Sequence, residues 1–292
     1  MDDVPSDVVI PEGVTTIGET IYLGSTFTDI FEKFETLTIP STLENINTGL
    51  AFSNMKPGFY PVPILGIDKR TKGLPFKFIV DENNPHFKTN DSGNMLLSKD
   101  GTKLYFVTNS SSDYTIPSTV TSIKEGAFIG ANIQTIELDG VKLESNCKFQ
   151  NCTKLTSAVL KNITIDGNFL YAFRGCAKLK RADLRESGIT KMNQQFFDGC
   201  TSLSELKLPS MLTELNDHVF TNCTSLESLT IPASLKSIKS NVFGESGIKT
   251  IKFEGTKEQW GTIEFPNNKR DKEFLNSVTV TCSDGVYTPP LE

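Results

Sequence analysis

Two consecutive stretches, "TSLSELKLPSMLTELNDHVFTNC" from Thr201 to Cys223 and "TSLESLTIPASLKSIKSNVFGES" from Thr224 to Ser246, align over 23 residues without a gap. A chain that repeats itself at so short a period has little choice of fold. One unit is too small to bury its own apolar face, so units must stack and share a continuous core.

The phrase extends backward through "AKLKRADLRESGITKMNQQFFDGC" (Ala177–Cys200), "TKLTSAVLKNITIDGNFLYAFRGC" (Thr153–Cys176) and "NIQTIELDGVKLESNCKFQNC" (Asn132–Cys152), so the units are 21 to 24 residues long. Their shared skeleton is L-x-x-[LIA]-x-[LIF], often Pro, then [LVI]-x-x-[ILM], then Phe and Cys three apart. The Phe column reads Phe128, Phe149, Phe173, Phe197, Phe220 and Phe243, and the Cys column reads Ala131, Cys152, Cys176, Cys200, Cys223 and Ser246. "GIKTIKFEG" adds one more opening strand after the last full unit. Earlier versions are "YTIPSTVTSIKEGAF" (Tyr114–Phe128), "LTIPSTLENINTGLAF" (Leu37–Phe52) and "VVIPEGVTTIGET" (Val8–Thr20). Between Met55 and Asp113 an insertion breaks the period.

In "LxxLxL" the last two apolar residues alternate with a polar one, which is strand spacing. Strands of successive turns then pair in parallel. Pro209 and Pro232 follow the strand, cannot continue a ladder and turn the chain. Leu235, Ile238 and their counterparts close the opposite wall, and the Phe column covers the core from a short turn or helical segment. Roughly ten turns at about 4.8 Å per strand predict an array about 50 Å long.

The phrase C-x-x-L-x-x-I-x-[IL]-P-x-x-[LV]-x-x-I-x-x-x-x-F resembles the BspA-like leucine-rich repeat over most of the chain, from about Val8 to Phe265. "EGTKEQWGTI" (Glu254–Ile263) is similar to the closing segment of such arrays. The resemblance implies an α/β repeat solenoid, a right-handed superhelix rich in β-structure, with a parallel sheet on the concave face and short turns or helical segments between strands. It also implies a secreted or cell-surface protein, often of mucosal bacteria or parasites, that adheres to host or neighbouring cells. Ala158 and Ala182 depart from the pattern by replacing the larger strand residue, and the Asn132 and Thr153 units lack the "IP" pair, so the middle of the array is expected to bend or pack less regularly.

The chain reads as one leucine-rich-repeat domain over 1–292: N-terminal repeats in 1–55, an irregular repeat with a hairpin insertion in 56–113, regular repeats in 114–265, and a cap and tail in 266–292. Within the insertion, "FKFIVDENNPHF" predicts a strand and a turn, and Asp100-Gly101 between two apolar runs predicts a protruding two-residue hairpin. Open solenoid ends need caps. Trp260 with Ile263 and Phe265 is the expected C-terminal plug, "SVTVTC" (Ser277–Cys282) an added edge strand, and "YTPPLE" a mobile tail.

Net charge is −6 and the charges are well mixed, which excludes the basic footprint of a nucleic-acid binder. No apolar run reaches membrane-spanning length, and "MDDVPSDVVI" lacks the basic and apolar regions of a signal peptide. Met1 is compatible with a start codon added to a trimmed chain, and Leu291–Glu292 with a cloning scar. The expected place is the extracellular space or cell surface.

The most conspicuous residues read as structural. A column position that accepts Ala131 or Ser246 in place of Cys is a small buried slot, so buried free thiols are expected there; bridges between neighbouring turns are the alternative. No C-x-x-C pair occurs, and His86, His218, Cys147 and Cys152 do not form a ligand set, so no metal and no cofactor is expected. No G-x-S-x-G, H-E-x-x-H or P-loop occurs, and the chain reads as a non-enzyme. Asn90, Asn109, Asn151, Asn162 and Asn222 begin N-x-[ST] sequons, with unmodified asparagine the favoured reading.

What remains is surface. The outward positions of the concave strands are Thr135 and Glu137, Ser157 and Val159, Arg181 and Asp183, Glu205 and Lys207, Ser228 and Thr230, then Thr250 and Lys252. This polar stripe of mixed sign is the candidate ligand-binding face, with a plain solvated sheet as the alternative. The hairpin around Asp100, with Tyr105 and Phe106 near its base, is a second candidate, with packing of these aromatics against the solenoid as the alternative. The expected function is adhesion to an extracellular or host protein, or to a glycan, through the solenoid surface. The alternatives are a carbohydrate-binding accessory surface protein and a structural module of a larger assembly.

Overall fold

The structure, a computed structural model, describes residues 7–17, 20–22, 35–46, 51–53, 76–108, 114–128, 130–144, 148–167 and 169–288. The expectations for Cys147, for Asn109 and for the end of the tail at residues 289–292 lie outside the described residues. The chain divides into two compact units, Met1–Asn132 and Ile133–Glu292.

In the first unit, β1 (Asp7–Val9), β2 (Thr16–Ile17) and β3 (Thr20–Tyr22) are matched one turn later by β4 (Thr36–Ile39), β5 (Asn45–Ile46) and β6 (Ala51–Ser53). Each pair is parallel, with Val8 opposite Leu37, Ile17 opposite Ile46 and Ile21 opposite Phe52. The two phrases that align in sequence therefore align in space. β7 (Lys77–Val80) extends the first ladder, with Phe78 opposite Leu37. The turn at "NNP" is pinned by Asn84, a fully buried side chain. Its amide nitrogen donates to the carbonyls of Pro40 (2.6 Å) and Leu43 (3.0 Å), and its oxygen accepts from the N–H groups of His86 and Phe87, both at 2.8 Å. A buried amide with both ends satisfied fixes the turn to the neighbouring repeat rather than costing stability.

β8 (Phe87–Thr89), β9 (Met95–Ser98) and β10 (Lys103–Val107) then form an antiparallel meander, and β11 (Ser122–Ile123) pairs parallel to β10. The hairpin exists, with two corrections. Its loop has four residues, 99–102, with Gly101 at φ +77° and its N–H bonded to the Ser98 carbonyl at 2.8 Å. It is also not a protrusion: Met95, Leu96, Leu97, Leu104 and Phe106 are all buried. The reason is legible in "MLL" and "LYFV", which are apolar on both faces and so must be covered on both. Phe106 belongs to the core with Leu37, Ile39, Phe78 and Phe87. Tyr105, displaced by a register shift next to Leu104, lies edge-on to Phe87 at 5.2 Å and beneath the Lys124 ammonium at 5.7 Å. Tyr105 and Phe106 thus follow the packing reading rather than the contact reading.

The second unit opens with β12 (Thr135–Asp139) and β13 (Lys142–Leu143), followed turn by turn by β14 (Ser157–Lys161) and β15 (Thr164–Ile165), β16 (Arg181–Asp183) and β17 (Lys191–Met192), β18 (Glu205–Lys207) and β19 (Glu214–Leu215), β20 (Ser228–Ile231) and β21 (Ser237–Ile238), and then β22 (Thr250–Phe253). The longer strands form the parallel sheets β12-β14-β16-β18 and β20-β22-β23, with β23 (Thr279–Cys282) continued antiparallel by β24 (Gly285–Val286). Short parallel ladders, β13-β15 and β17-β19-β21, form a second wall. Between β18 and β20 the strands are adjacent without a shared ladder.

A third side carries a ladder of its own. Tyr171, Gln195, His218 and Asn241, two residues before each Phe, have φ between +53° and +61°. Two residues after each Phe, Asn151, Gly175, Gly199, Asn222 and Glu245 also have positive φ. Alternating the left-handed conformation in this way turns successive N–H groups to one side, so that Phe173 N–H donates to Phe196, Phe197 to Val219 and Phe220 to Val242, at 2.8, 2.9 and 2.8 Å. These bonds offset the conformational cost of about 1 kcal/mol or more at each non-glycine position. Inside, the Phe rings stack from Phe149 to Phe173 to Phe197 to Phe220 to Phe243, with centroids 5.1 to 6.1 Å apart.

The alanine turns do not pack loosely. Ala158 and Ala182 are buried and keep the register of their neighbours. The two turns that carry them also carry an extra buried ring each, Phe169 and Phe196, which meet edge to face at 5.4 Å. At the C-terminal end, α1 (Lys257–Gly261) starts with a capping box of Thr256 and Gln259 and buries Trp260 against Phe253 and Phe265. α2 (Lys269–Ser277) lays Phe274 on Phe243 and points Asp271 at the N–H of Asn241. β23 is not the edge, because β24 pairs outside it.

Candidate functional site

Alternation along each strand drives one set of side chains into the core and the other outward. Ile136, Ala158, Ala182, Leu229 and Ile251 are inward members under 5% exposed, and Leu206 on β18 is half-buried. The twelve residues expected on the outward face are all there, exposed or half-buried. Parallel register brings them into rows across the sheet. One row reads Thr135, Ser157, Arg181, Glu205, and the next reads Glu137, Val159, Asp183, Lys207. On the second sheet Ser228 stands opposite Thr250, and Thr230 opposite Lys252. β23 extends both rows with Thr279 and Thr281. These two threonines were missed because the sequence reading stopped the array at Phe265; the alternation in "TVTC" carries the signal.

The two sheets differ in charge. On β12–β18 the outward ions neutralise one another: Lys161 with Glu137 at 3.2 Å, Arg181 with Glu205 at 2.9 Å, and Lys207 with Asp183 at 3.3 Å. Arg185 adds a second cation to Asp183 at 2.8 Å. Hydrogen bonding from the Arg185 side chain, with help from its backbone N–H and from Lys207, holds the Asp183 carboxyl down at about 2 against the opposing effect of partial burial. The Glu137 carboxylate raises the Lys161 ammonium above its ordinary value by hydrogen bonding.

On β20, β22 and β23 the outward side chains are hydroxyls and a single cation, Lys252. Ser228, Thr230, Thr250, Lys252 and Thr281 line a shallow groove of about 370 Å³ whose floor is Leu229 and Ile251. That volume is at the small end of the range of ligand sites.

The other residues singled out for chemistry are structural. The thiols of Cys176, Cys200 and Cys223 are fully buried and donate to the carbonyls of Phe149, Phe173 and Phe197, at 3.0, 3.1 and 3.2 Å. Burial pushes the Cys223 thiol up to about 12 and raises Cys200 as well, the reverse of what a nucleophile needs. Cys152, Cys176, Cys200, Cys223 and Cys282 are free thiols. His218 occupies a left-handed turn position, with the Asn241 amide 2.8 Å from its Nδ1. Among the described residues no group of three or more His, Cys, Asp or Glu converges, and no helix is long and apolar enough to cross a membrane.

Residues 101–171 and 149–271 match the model of the BspA type leucine-rich repeat region, in six copies. The chain belongs to this BspA-type leucine-rich-repeat family. The earlier phrases at Val8 and Leu37 fall outside the matched spans, yet they pair strand to strand as the repeat requires. Two solved structures share the fold of this BspA-type protein. One is a leucine-rich repeat protein from Eubacterium ventriosum, 22% identical, with a TM-score of 0.56 over 83% of this chain and 65% of the other. The second is a leucine rich cell surface protein from Faecalibacterium prausnitzii, 19% identical, with a TM-score of 0.51 over 90% of this chain and 63% of the other. The chain thus spans less than two thirds of either. No curated protein matches it. The expected fold class, a β-rich leucine-rich-repeat solenoid with parallel sheets, is the observed one.

Proposed function

We propose that this chain is a non-enzymatic binding module displayed outside the cell, which adheres to extracellular proteins of a host or neighbouring cell through the outward face of its parallel sheet. The observation that carries the reading is a face of regularly spaced, mostly polar side chains over a core that has absorbed every described thiol and most of the described aromatic rings. Such a face recognises by many weak contacts, strengthened by display in many copies. Membership of the BspA-type family and the likeness to a cell surface protein support the location.

The test is binding of the purified chain to immobilised matrix and mucosal glycoproteins, together with adherence of a non-adherent cell made to display it. Saturable binding and gained adherence are expected. Absence of both, with the native protein retained inside its own cell, would overturn the proposal. The hydroxyl-lined groove favours a second reading, in which the ligand is the glycan of such a glycoprotein.

A further inference from the structure

We propose that the groove over β20, β22 and β23 takes a sugar carrying a single carboxylate, such as a uronic or sialic acid residue of a glycan. This rests on the reading of the outward face as the binding surface and names the ligand chemistry of one part of it.

The first reason is the contrast between the two sheets. On β12–β18 the cations Lys161, Arg181 and Lys207 each already hold a carboxylate. Lys252, on β22, takes part in no ion pair among the described residues, and it lines the groove. An ammonium with no carboxylate of its own, in a concave site, is the group that an incoming anion would meet.

The second reason is what surrounds it. Ser228, Thr230, Thr250 and Thr281 each bring a hydroxyl that both donates and accepts, the same dual capacity that the hydroxyls of a sugar present. Three strands at about 4.8 Å spacing give the groove roughly 10 Å of floor, the length of a short oligosaccharide. No aromatic side chain lines it, so a neutral sugar would lack a ring to stack on, and the charge-assisted hydrogen bond to Lys252 becomes the discriminating contact.

The third reason limits the charge. One cation stands in a chain of net charge −6, which repels a polyanion at long range. A ligand with one carboxylate satisfies Lys252 without that penalty, whereas a heavily sulfated chain does not.

The test is titration of the full chain, followed by NMR, with sialyllactose, lactose, monomeric galacturonic acid and a heparin oligosaccharide, repeated on Lys252→Gln and on Lys236→Gln. Sialyllactose and galacturonic acid should bind in the millimolar to sub-millimolar range typical of a small site, with lactose and the Lys252→Gln variant weaker by about tenfold, as the loss of one charge-assisted hydrogen bond implies. Lys236→Gln, at an exposed turn position away from the outward face, should bind like the parent. Equal binding of lactose and sialyllactose, an unchanged Lys252→Gln variant, or binding of heparin alone would each overturn the proposal. If the chain binds no acidic sugar but still binds glycoproteins stripped of them, the groove proposal fails and the adhesion reading stands. If it binds neither sugars nor glycoproteins, both fall.

Discussion

Phe243 and Phe274 stack with ring centroids 4.6 Å apart and planes 12° from parallel, a closer approach than any successive pair from Phe149 to Phe243 in the repeat column. Phe243 belongs to the last full repeat, and Phe274 comes from α2, which has no repeat signature. The helix thus supplies the ring that a further repeat would have supplied. Asp271, one turn earlier on the same helix, accepts from the Asn241 N–H at 3.0 Å and so ends the third-side ladder too. Truncating Phe274 to Ala should cost about 2 kcal/mol, less than the full loss for a buried Phe because this ring is half-exposed. Urea denaturation of the variant checks this, and an unchanged midpoint would show that α2 is not the cap.

The position before each column cysteine reads Asn151, Gly175, Gly199 and Asn222, and all four have positive φ. A Cβ at Gly199 would meet nothing closer than Gly175 Cα at 3.7 Å, so space does not limit substitution there. Conformation does. Gly199→Ala should destabilise by about 1 kcal/mol, and Gly199→Asn by clearly less, because asparagine tolerates the left-handed region. Thermal or chemical denaturation of the pair decides; equal losses would contradict the explanation.

The cysteine column is inert packing. In the Cys147→Ser variant, the five remaining thiols should react with a disulfide reagent at pH 8 only after denaturant is added, since Cys152, Cys176, Cys200, Cys223 and Cys282 are all buried. Fewer than five thiols in the unfolded, unreduced protein would mean that bridges form.

Asp183 contributes a pH dependence of known sign. Its carboxyl sits at about 2 in the folded chain against an ordinary 3.8, so the folded state holds the charged form more firmly. The stabilisation is complete above about pH 4 and is lost as the pH falls through 4 toward 2. Because the pair lies near the surface, its worth is about 1 kcal/mol or less. Asp183→Asn should therefore lower stability at pH 7 and flatten the acid limb of the stability curve, as measured by denaturation at a series of pH values. An acid limb as steep as the parent's would remove Asp183 from the account.

The parts legible in the sequence are those that recur. The Phe and Cys columns, the strand register from Val8 opposite Leu37 to Thr250 opposite Ser228, and the outward positions all follow from one phrase. The misread parts are where the phrase stops. Phe274 and Asp271 occur once, so no column announces them. Thr279 and Thr281 join the face only because β23 pairs with β22, a long-range event. The hairpin at Asp100 was legible as a hairpin, but its burial depended on neighbours that local alternation does not reveal. The alanine turns looked weak because each column was weighed alone; Ala158 and Ala182 are nonetheless fully packed, and each turn buries a further ring, Phe169 or Phe196, in another column. The groove was hidden for a different reason, since it depends on which outward ions find partners across strands.

The most direct test of the account is a scan of single arginine substitutions at the outward positions of β12 through β23, each variant checked for folding and then measured for binding to a glycoprotein that the parent binds. The account predicts losses of tenfold or more that cluster on the outward strand positions, while substitutions on exposed turn residues such as Lys236 and Glu245 leave binding intact. Losses confined to the turns, or a face that tolerates arginine everywhere, would contradict it.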